Sequence, residues 1–226
     1  MGLLNSLHTK KDVSKYLPLF ERRYYPFTRF FDLRSELSDN TMLVEFIVHF
    51  GQHNYQSDEF WEFVTQLLVK QLPNIRGEVA YMDVMRSYAA SHRGSNLLWE
   101  RMLQGVFNIF ERPSFELALA AYRCVLQVGF SSPDPQFDMF TGKAILNAFP
   151  ENELGITSRG FEDIAYIINY QKDLLFNDVA YLEGLIAKGW NSCLQDSKQE
   201  IIAMYQRNGR TSDILDTKFV LESQDN

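Results

Sequence analysis

The chain has 226 residues, of which 46% are hydrophobic and 14% aromatic, and its net charge at pH 7 is −7. This composition supplies the apolar side chains of a packed core and excludes a disordered chain. Its longest apolar runs, at 117–121 and 164–168, fall far short of the roughly 20 residues that a membrane-spanning helix needs. We therefore expect no transmembrane span and at most peripheral contact with a membrane.

The charge is unevenly distributed along the chain. Residues 1–30 carry six basic and two acidic residues, a net charge of +4, so the remaining residues carry −11. Nucleic-acid binding depends on basic residues that replace phosphate counterions, and an acidic body opposes it. RNA is therefore disfavoured as a partner of the body. We interpret the basic N-terminal arm as a solvated or protein-docking segment, with contact to a nucleic acid or a lipid as the alternative.

The extreme N-terminus allows three interpretations. Gly2 followed by Ser6 matches the N-myristoylation pattern, with Lys10 and Lys11 as a second, electrostatic anchor. Residues 1–11 also lack acids and end in two lysines, as in an organellar import segment, although they contain no arginine. The third interpretation, which the composition favours, is an unprocessed tail.

Aromatic residues are concentrated in residues 12–38, where Pro18 and Pro26 divide the segment into short pieces. So many aromatic side chains must be shielded from solvent. They either pack as a cap on the first helical unit or dock on a partner protein. The predicted partner-binding residues are Arg22, Arg23, Tyr24, Tyr25, Phe27, Arg29, Phe30 and Phe31.

From residue 40 onwards, apolar residues recur at helical spacing in pairs of segments joined by polar spacers. We expect the first helix to end at Gly51 and Asp58 to cap the second. Ser114 is predicted as an N-cap and Gly129 as a left-handed C-cap. The predicted helical pairs are 41–50 with 58–72, 77–90 with 96–110, 114–129 with 137–149, and 158–170 with 178–188.

Corresponding positions in these pairs recur at a nearly constant interval. Trp61, Trp99 and Phe137 are equally spaced along the chain, and Val179 follows after a slightly longer interval. This regularity is typical of a helical repeat array, in which each hairpin buries its apolar face on its neighbour. The alternative is an irregular bundle of short hairpins.

The C-terminal part, residues 190–226, is predicted to shield the last hairpin. We expect a helix at 197–206, a turn at Asn208 and Gly209, and then a short apolar segment. The tail at 222–226 is polar and is expected to be loose. The predicted organisation is an aromatic extension (1–38), a helical-repeat domain (39–189) and C-terminal capping helices with a tail (190–226).

The best local pattern runs from 117–122 through Gly129 to the Pro-Asp-Pro sequence at 133–135, with a second instance at 161–170. This layout resembles the 38-residue helical repeats of organellar proteins, the octotricopeptide and FAST-kinase-like arrays, which are similar in shape to pentatricopeptide repeats. The resemblance covers the predicted helical-repeat domain. It implies a mitochondrial or plastid protein that binds RNA or serves as a subunit of a large assembly. The acidic body and the presence of only four units depart from the RNA-binding members.

Residues with potential for metal or thiol chemistry are few. His49 and His53 are four residues apart, but Gly51 lies between them, where the helix is expected to end, and this disfavours a metal site. Cys124 and Cys193 have no CxxC spacing and are predicted as buried thiols in a reducing compartment.

Other polar motifs also have structural explanations. The acidic pairs at 58–59 and 162–163 lie at predicted helix starts, where the helix dipole favours them. Gly142 and Lys143 lack the upstream glycine of a phosphate-binding loop. We predict no catalytic residue, no cofactor and no metal.

These observations predict an all-α protein, a short α-solenoid of about four stacked antiparallel hairpins. The predicted function is that of a non-catalytic structural subunit of a multiprotein assembly, with other protein subunits as partners. The resemblance places it inside the cell, in a respiratory, ATP synthase or ribosomal complex of the mitochondrion, with the cytoplasm as the alternative. An RNA-binding helical-repeat protein is the alternative function, and an enzyme of unrecognised type is a third hypothesis. The arginines of the RNA alternative are Arg22, Arg23, Arg29, Arg76, Arg86, Arg93 and Arg101.

Overall fold

A computed structural model shows a helical protein. No residue that it describes is in a β-strand, which confirms the all-α prediction for that part of the chain. None of the helices in this part is long and apolar enough to cross a lipid bilayer. The described residues are 40–53, 55, 57–110, 113–130, 155–172, 174 and 176–224.

Two predicted segments lie outside the described residues. They are the aromatic extension at 1–38 and the second helix of the third hairpin at 137–149. The described helices agree closely with the predicted ones, and residues Glu222 to Gln224 of the predicted loose tail lie in the last helix. The helices are α1 (Asn40–Gln52), α2 (Asp58–Gln71), α3 (Glu78–Ala90), α4 (Asn96–Ile109), α5 (Phe115–Val128), α6 (Ser158–Tyr170), α7 (Phe176–Gly189), α8 (Gln195–Arg207) and α9 (Asp216–Gln224), with short 3₁₀ turns at Leu72–Asn74 and Trp190–Ser192.

Side-chain caps define several helix starts. The Ser114 hydroxyl accepts a hydrogen bond from a backbone N–H three residues later, at 3.2 Å, and Thr157 caps α6 in the same way at 3.3 Å. The prediction of Asp58 as a cap is wrong, because Ser57 caps α2 and Asp58 is its first residue. Gly129 has φ 65°, which confirms the predicted left-handed C-cap of α5.

The chain divides into two compact units, Met1–Gly105 and Val106–Asn226. In the first unit, α1 packs against α2 and, more extensively, against α3. The α1–α3 contact is closest at Gly51, where an added Cβ would lie 2.4 Å from the Cβ of Ser87. The predicted end of α1 at Gly51 is therefore wrong. The helix continues through this residue, and its missing side chain allows the two backbones to approach.

Two tryptophans in the first unit have the same local geometry. The indole N–H of Trp61 donates to the carbonyl of Tyr55 at 2.6 Å, and that of Trp99 donates to the carbonyl of Arg93 at 3.2 Å. The backbone N–H groups of Tyr55 and Arg93 each donate to the carbonyl five residues earlier, at 3.1 and 2.9 Å. The two tryptophans, which occupy corresponding positions in successive predicted hairpins, therefore close their loops in the same way.

In the second unit, α6 is the central helix and packs against α5, α7 and α8. Its Ile164 and Ile168 side chains are fully buried. The contact of α6 with the end of α7 is very close, because an added Cβ at Gly189 would lie 1.9 Å from the Phe161 ring. Gly189 ends α7, as predicted.

The C-terminal helices complete the second unit. Gly209, with φ 59°, makes the predicted turn after α8. In α9, the Phe219 ring lies 5.6 Å from that of Trp190 and 5.3 Å from that of Tyr205. These contacts bring α9 against the end of α7 and the buried side of α8.

Candidate functional site

A buried ion pair joins α5 to α6. Arg123 Nη1 lies 2.7 Å from Asp163 Oδ1, and the Asp163 side chain is 0% exposed. Burial lowers the pKa of Arg123, but the charge and hydrogen bond of Asp163 outweigh it, so this pKa lies above its ordinary value. The prediction that Glu162 and Asp163 lie at a helix start is wrong, because α6 begins at Ser158 and its first turn contains no acidic residue. A buried carboxylate needs a paired charge, and Arg123 provides one.

Two tyrosines extend this arrangement to the surface. Tyr166 and Tyr170, one turn apart on α6, stack with ring centroids 4.3 Å apart and planes 24° apart. The Arg123 guanidinium lies 5.1 Å from the centroid of the Tyr166 ring. Burial and Tyr170 raise the pKa of Tyr166, and Arg123 partly offsets them. We call Arg123, Tyr166 and Tyr170 the Arg–Tyr surface.

The chemistry of the Arg–Tyr surface suits binding. Tyr170 is 42% exposed at the outer end of the stack. Tyrosine and arginine offer large, stiff contact areas and polar ends, and both are enriched where proteins bind each other. The buried Asp163 anchors Arg123 beneath Tyr166, so the outer ring is presented by a preorganised stack.

The second unit also contains a cleft of about 500 Å³ beside α7. Glu183 lines it, and its Oε1 accepts a 3.0 Å hydrogen bond from the Tyr205 hydroxyl. Burial, and then the Glu183 carboxylate, raise the pKa of Tyr205. Arg210 also lines the cleft and donates from Nη1 to the carbonyl of Ile168 at 2.7 Å. Among the described residues, the cleft is lined by Leu174, Val179, Ala180, Glu183, Arg210, Thr211, Ser212, Asp213 and Ile214.

The partner-binding residues predicted from the sequence all belong to the N-terminal arm. They lie outside the described residues, so their role stays a prediction: Arg22, Arg23, Tyr24, Tyr25, Phe27, Arg29, Phe30 and Phe31.

Four arginines of the RNA alternative lie in the described part of the first unit. Arg76 and Arg101 are exposed and Arg86 is partly exposed. Arg93 forms an ion pair with Asp58 at the start of α2. The Asp58 carboxylate therefore already pairs with one of the four arginines that the RNA alternative expects to bind phosphate.

The histidines and cysteines are also located. Because α1 continues through Gly51, the His49 and His53 rings lie only 5.2 Å apart, and the argument that the helix end separates them is wrong. Within the described residues, however, no three His, Cys, Asp or Glu side chains are placed to hold a metal ion together. Cys124 and Cys193 are buried and form no disulfide in the described structure, in line with the prediction of buried thiols.

Sequence reasoning missed Asp163, Glu183 and the tyrosine stack. The sequence contains a signal for Glu183 and for the tyrosine stack. Glu183 follows Val179 by four residues on the apolar face of α7, and Tyr170 follows Tyr166 by the same interval on α6. A charged residue on an otherwise apolar helical face predicts a buried polar interaction.

No family model matches the chain, and neither a curated protein nor a solved structure is significantly similar to it.

Proposed function

We propose that this protein is a non-catalytic structural subunit of a larger multiprotein assembly. The observation that carries the proposal is the Arg–Tyr surface, where the exposed Tyr170 stacks on Tyr166 and Arg123 lies beneath. A solvent-exposed aromatic stack on a buried ion pair is typical of a protein-binding surface, because little side-chain entropy remains to be lost on binding.

We further propose that the helices form a short array of stacked hairpins. Two observations support this. The Trp61 and Trp99 loops repeat the same hydrogen bonds at corresponding positions of the first two hairpins. Within each unit, the first helices of successive predicted hairpins pack together, α1 with α3 in the first unit and α5 with α6 in the second. Stacked hairpins have broad faces that suit the binding of large partners.

Two parts of the proposal rest on the sequence. Docking through the aromatic arm follows from its composition. A mitochondrial location, in a respiratory, ATP synthase or ribosomal complex, follows from the resemblance to organellar helical repeats.

Native affinity capture of the tagged full chain from a mitochondrial extract tests the proposal. We expect protein subunits to co-purify at fixed stoichiometry. Tyr170→Ala should reduce the recovered partner at least about tenfold, as for an interface residue that carries much of the binding energy. Tyr181→Ala is the matched control, since Tyr181 is 37% exposed on α7 and should leave recovery unchanged.

Two outcomes would contradict the proposal. One is a wild-type chain that recovers no protein at fixed stoichiometry. The other is binding of single-stranded RNA with an affinity that falls steeply as the salt concentration rises. A log–log slope that corresponds to several phosphate contacts would favour the RNA-binding alternative.

A further inference from the structure

Glu183 is a buried carboxylate without a cationic partner among the described residues. It is 5% exposed, and within that part of the chain its carboxylate has one hydrogen-bond partner, the neutral Tyr205 hydroxyl. Buried carboxylates are usually paired with a cation, because desolvation of a lone charge is costly. An ionised carboxylate accepts about four hydrogen bonds, so Glu183 has capacity for a ligand.

Arg210 is the basic residue of the cleft, and one of its donors is engaged by α6. Its Nη1 donates to the Ile168 carbonyl in the last turn of α6, where the helix dipole favours a cation. In the described structure it forms no ion pair with Glu183. Together with Asp213, the lining carries two acidic residues and one basic residue. The charge of the cleft therefore favours a cationic ligand.

An anionic ligand is opposed by the start of α9. The backbone N–H of Ser212 already donates to Asp216 Oδ1 at 3.2 Å, and that of Leu215 donates to the Ser212 hydroxyl at 3.1 Å. These N–H groups would otherwise bind a phosphate or carboxylate. Because side chains of the protein occupy these two N–H groups, they are not available to an anion in the cleft.

The apolar lining of the cleft indicates which kind of cation it binds. Its volume of about 500 Å³ is large enough to admit a long side chain, and Leu174, Val179 and Ile214 provide apolar contacts. A lysine has an apolar four-carbon stem and an ammonium with three donors. We propose that this cleft binds a lysine side chain of a partner protein, with the stem on the apolar lining and the ammonium on Glu183. This inference rests on the proposed function as a protein-binding subunit.

Titration of the ¹⁵N-labelled full chain with a capped tripeptide, acetyl-Ala-Lys-Ala-amide, tests the cleft directly. We expect saturable amide shifts confined to residues 179–183 and 210–214. The same peptide with an acetylated lysine retains the stem and lacks the charge, and should bind at least about tenfold more weakly. Equal binding of both peptides, no saturable shift, or a preference for acetyl-Ala-Glu-Ala-amide would overturn the inference.

Variants assign the effect to Glu183. Glu183→Gln keeps an acceptor for the Tyr205 hydroxyl and should weaken binding of the lysine peptide at least about tenfold. Asp213→Asn, at the exposed rim of the cleft, should weaken this binding severalfold. Glu200→Gln on the exposed side of α8 should change nothing. Unaltered binding to a folded Glu183→Gln or Asp213→Asn chain would overturn the assignment.

Affinity capture separates failure of this inference from failure of the proposed function. If wild type and Glu183→Gln recover the same partner with equal affinity, the lysine site is wrong and the structural-subunit function stands. If wild type recovers no partner, the proposed function fails, while the peptide titration still decides whether the cleft binds lysine.

Discussion

Arg123 and Asp163, which are 40 residues apart in the sequence, join α5 to α6 through a 2.7 Å contact. The side-chain exposure of the two partners is 24% for Arg123 and 0% for Asp163. This asymmetry means that the cost of breaking the pair depends on which partner is removed.

Arg123→Ala should lower the free energy of unfolding by about 3–5 kcal/mol, because it removes one partner of an ion pair whose carboxylate, on Asp163, is fully buried. Urea denaturation measures the change. Arg207→Ala is the control, since Arg207 and Glu200 form an ion pair in which both side chains are about half exposed, and its loss should cost less than about 1 kcal/mol. Equal losses of unfolding free energy in the two variants would contradict the expectation that the buried ion pair stabilises the protein more than the exposed one.

Trp61→Phe and Trp99→Phe should destabilise the first unit by similar amounts. Each variant keeps an aromatic ring but removes the indole N–H that donates to a loop carbonyl, in a buried hydrogen bond for Trp61 and a part-buried one for Trp99, and this loss costs about 1–3 kcal/mol. Denaturation followed by circular dichroism gives both values. If one variant is neutral and the other strongly destabilised, the two loops are not energetically equivalent, and the support for a regular repeat is lost.

Stability should fall as the pH is lowered below about 6.5, the ordinary pKa of histidine. Burial and His53 lower the pKa of His49 in the folded state, so the unfolded state binds the proton more readily. The stabilisation is complete above the unfolded pKa and is lost as the pH falls to the folded pKa. His49→Gln should reduce this dependence in urea midpoints measured from pH 5 to 8. A pH dependence that is the same in His49→Gln and in the wild type would contradict this prediction.

Glycine-to-alanine substitutions should have opposite effects at two helical positions. Gly51→Ala places a Cβ 2.4 Å from the Cβ of Ser87, and this overpacking should cost about 1–3 kcal/mol. Gly184→Ala in α7 meets no atom within 4 Å and should stabilise the protein by about 0.5–1 kcal/mol through helix propensity. Thermal denaturation compares them. A stabilising Gly51→Ala would show that α1 and α3 are not closely packed there.

Local sequence signals were sufficient to place the described helices. Apolar residues at helical spacing located α5, and the cap residues Ser114 and Gly129 marked its limits. These signals depend on interactions within a few residues, which a single sequence contains. The same reasoning failed at Gly51, because a glycine that ends a helix and one that allows close helix packing look alike in sequence.

The candidate sites could not be predicted in the same way. Asp163 meets Arg123 across 40 residues, and Glu183 meets Tyr205 across 22. Periodicity identifies which face of a helix is buried but not which residue on another helix contacts it. Tyr166 and Tyr170 are close in sequence, yet their value as a surface depends on Arg123 from α5 lying beneath them.

Because both thiols lie in one of the two units, their reactivity reports how often that unit opens. Both cysteines of the chain, Cys124 and Cys193, are buried in Val106–Asn226, and Met1–Gly105 contains none. An alkylating reagent can modify them only when that unit transiently opens. The rate of mass gain under native conditions therefore reports fluctuations of the C-terminal unit alone. Met85→Cys, at a buried position, would report the opening of the N-terminal unit by the same measurement.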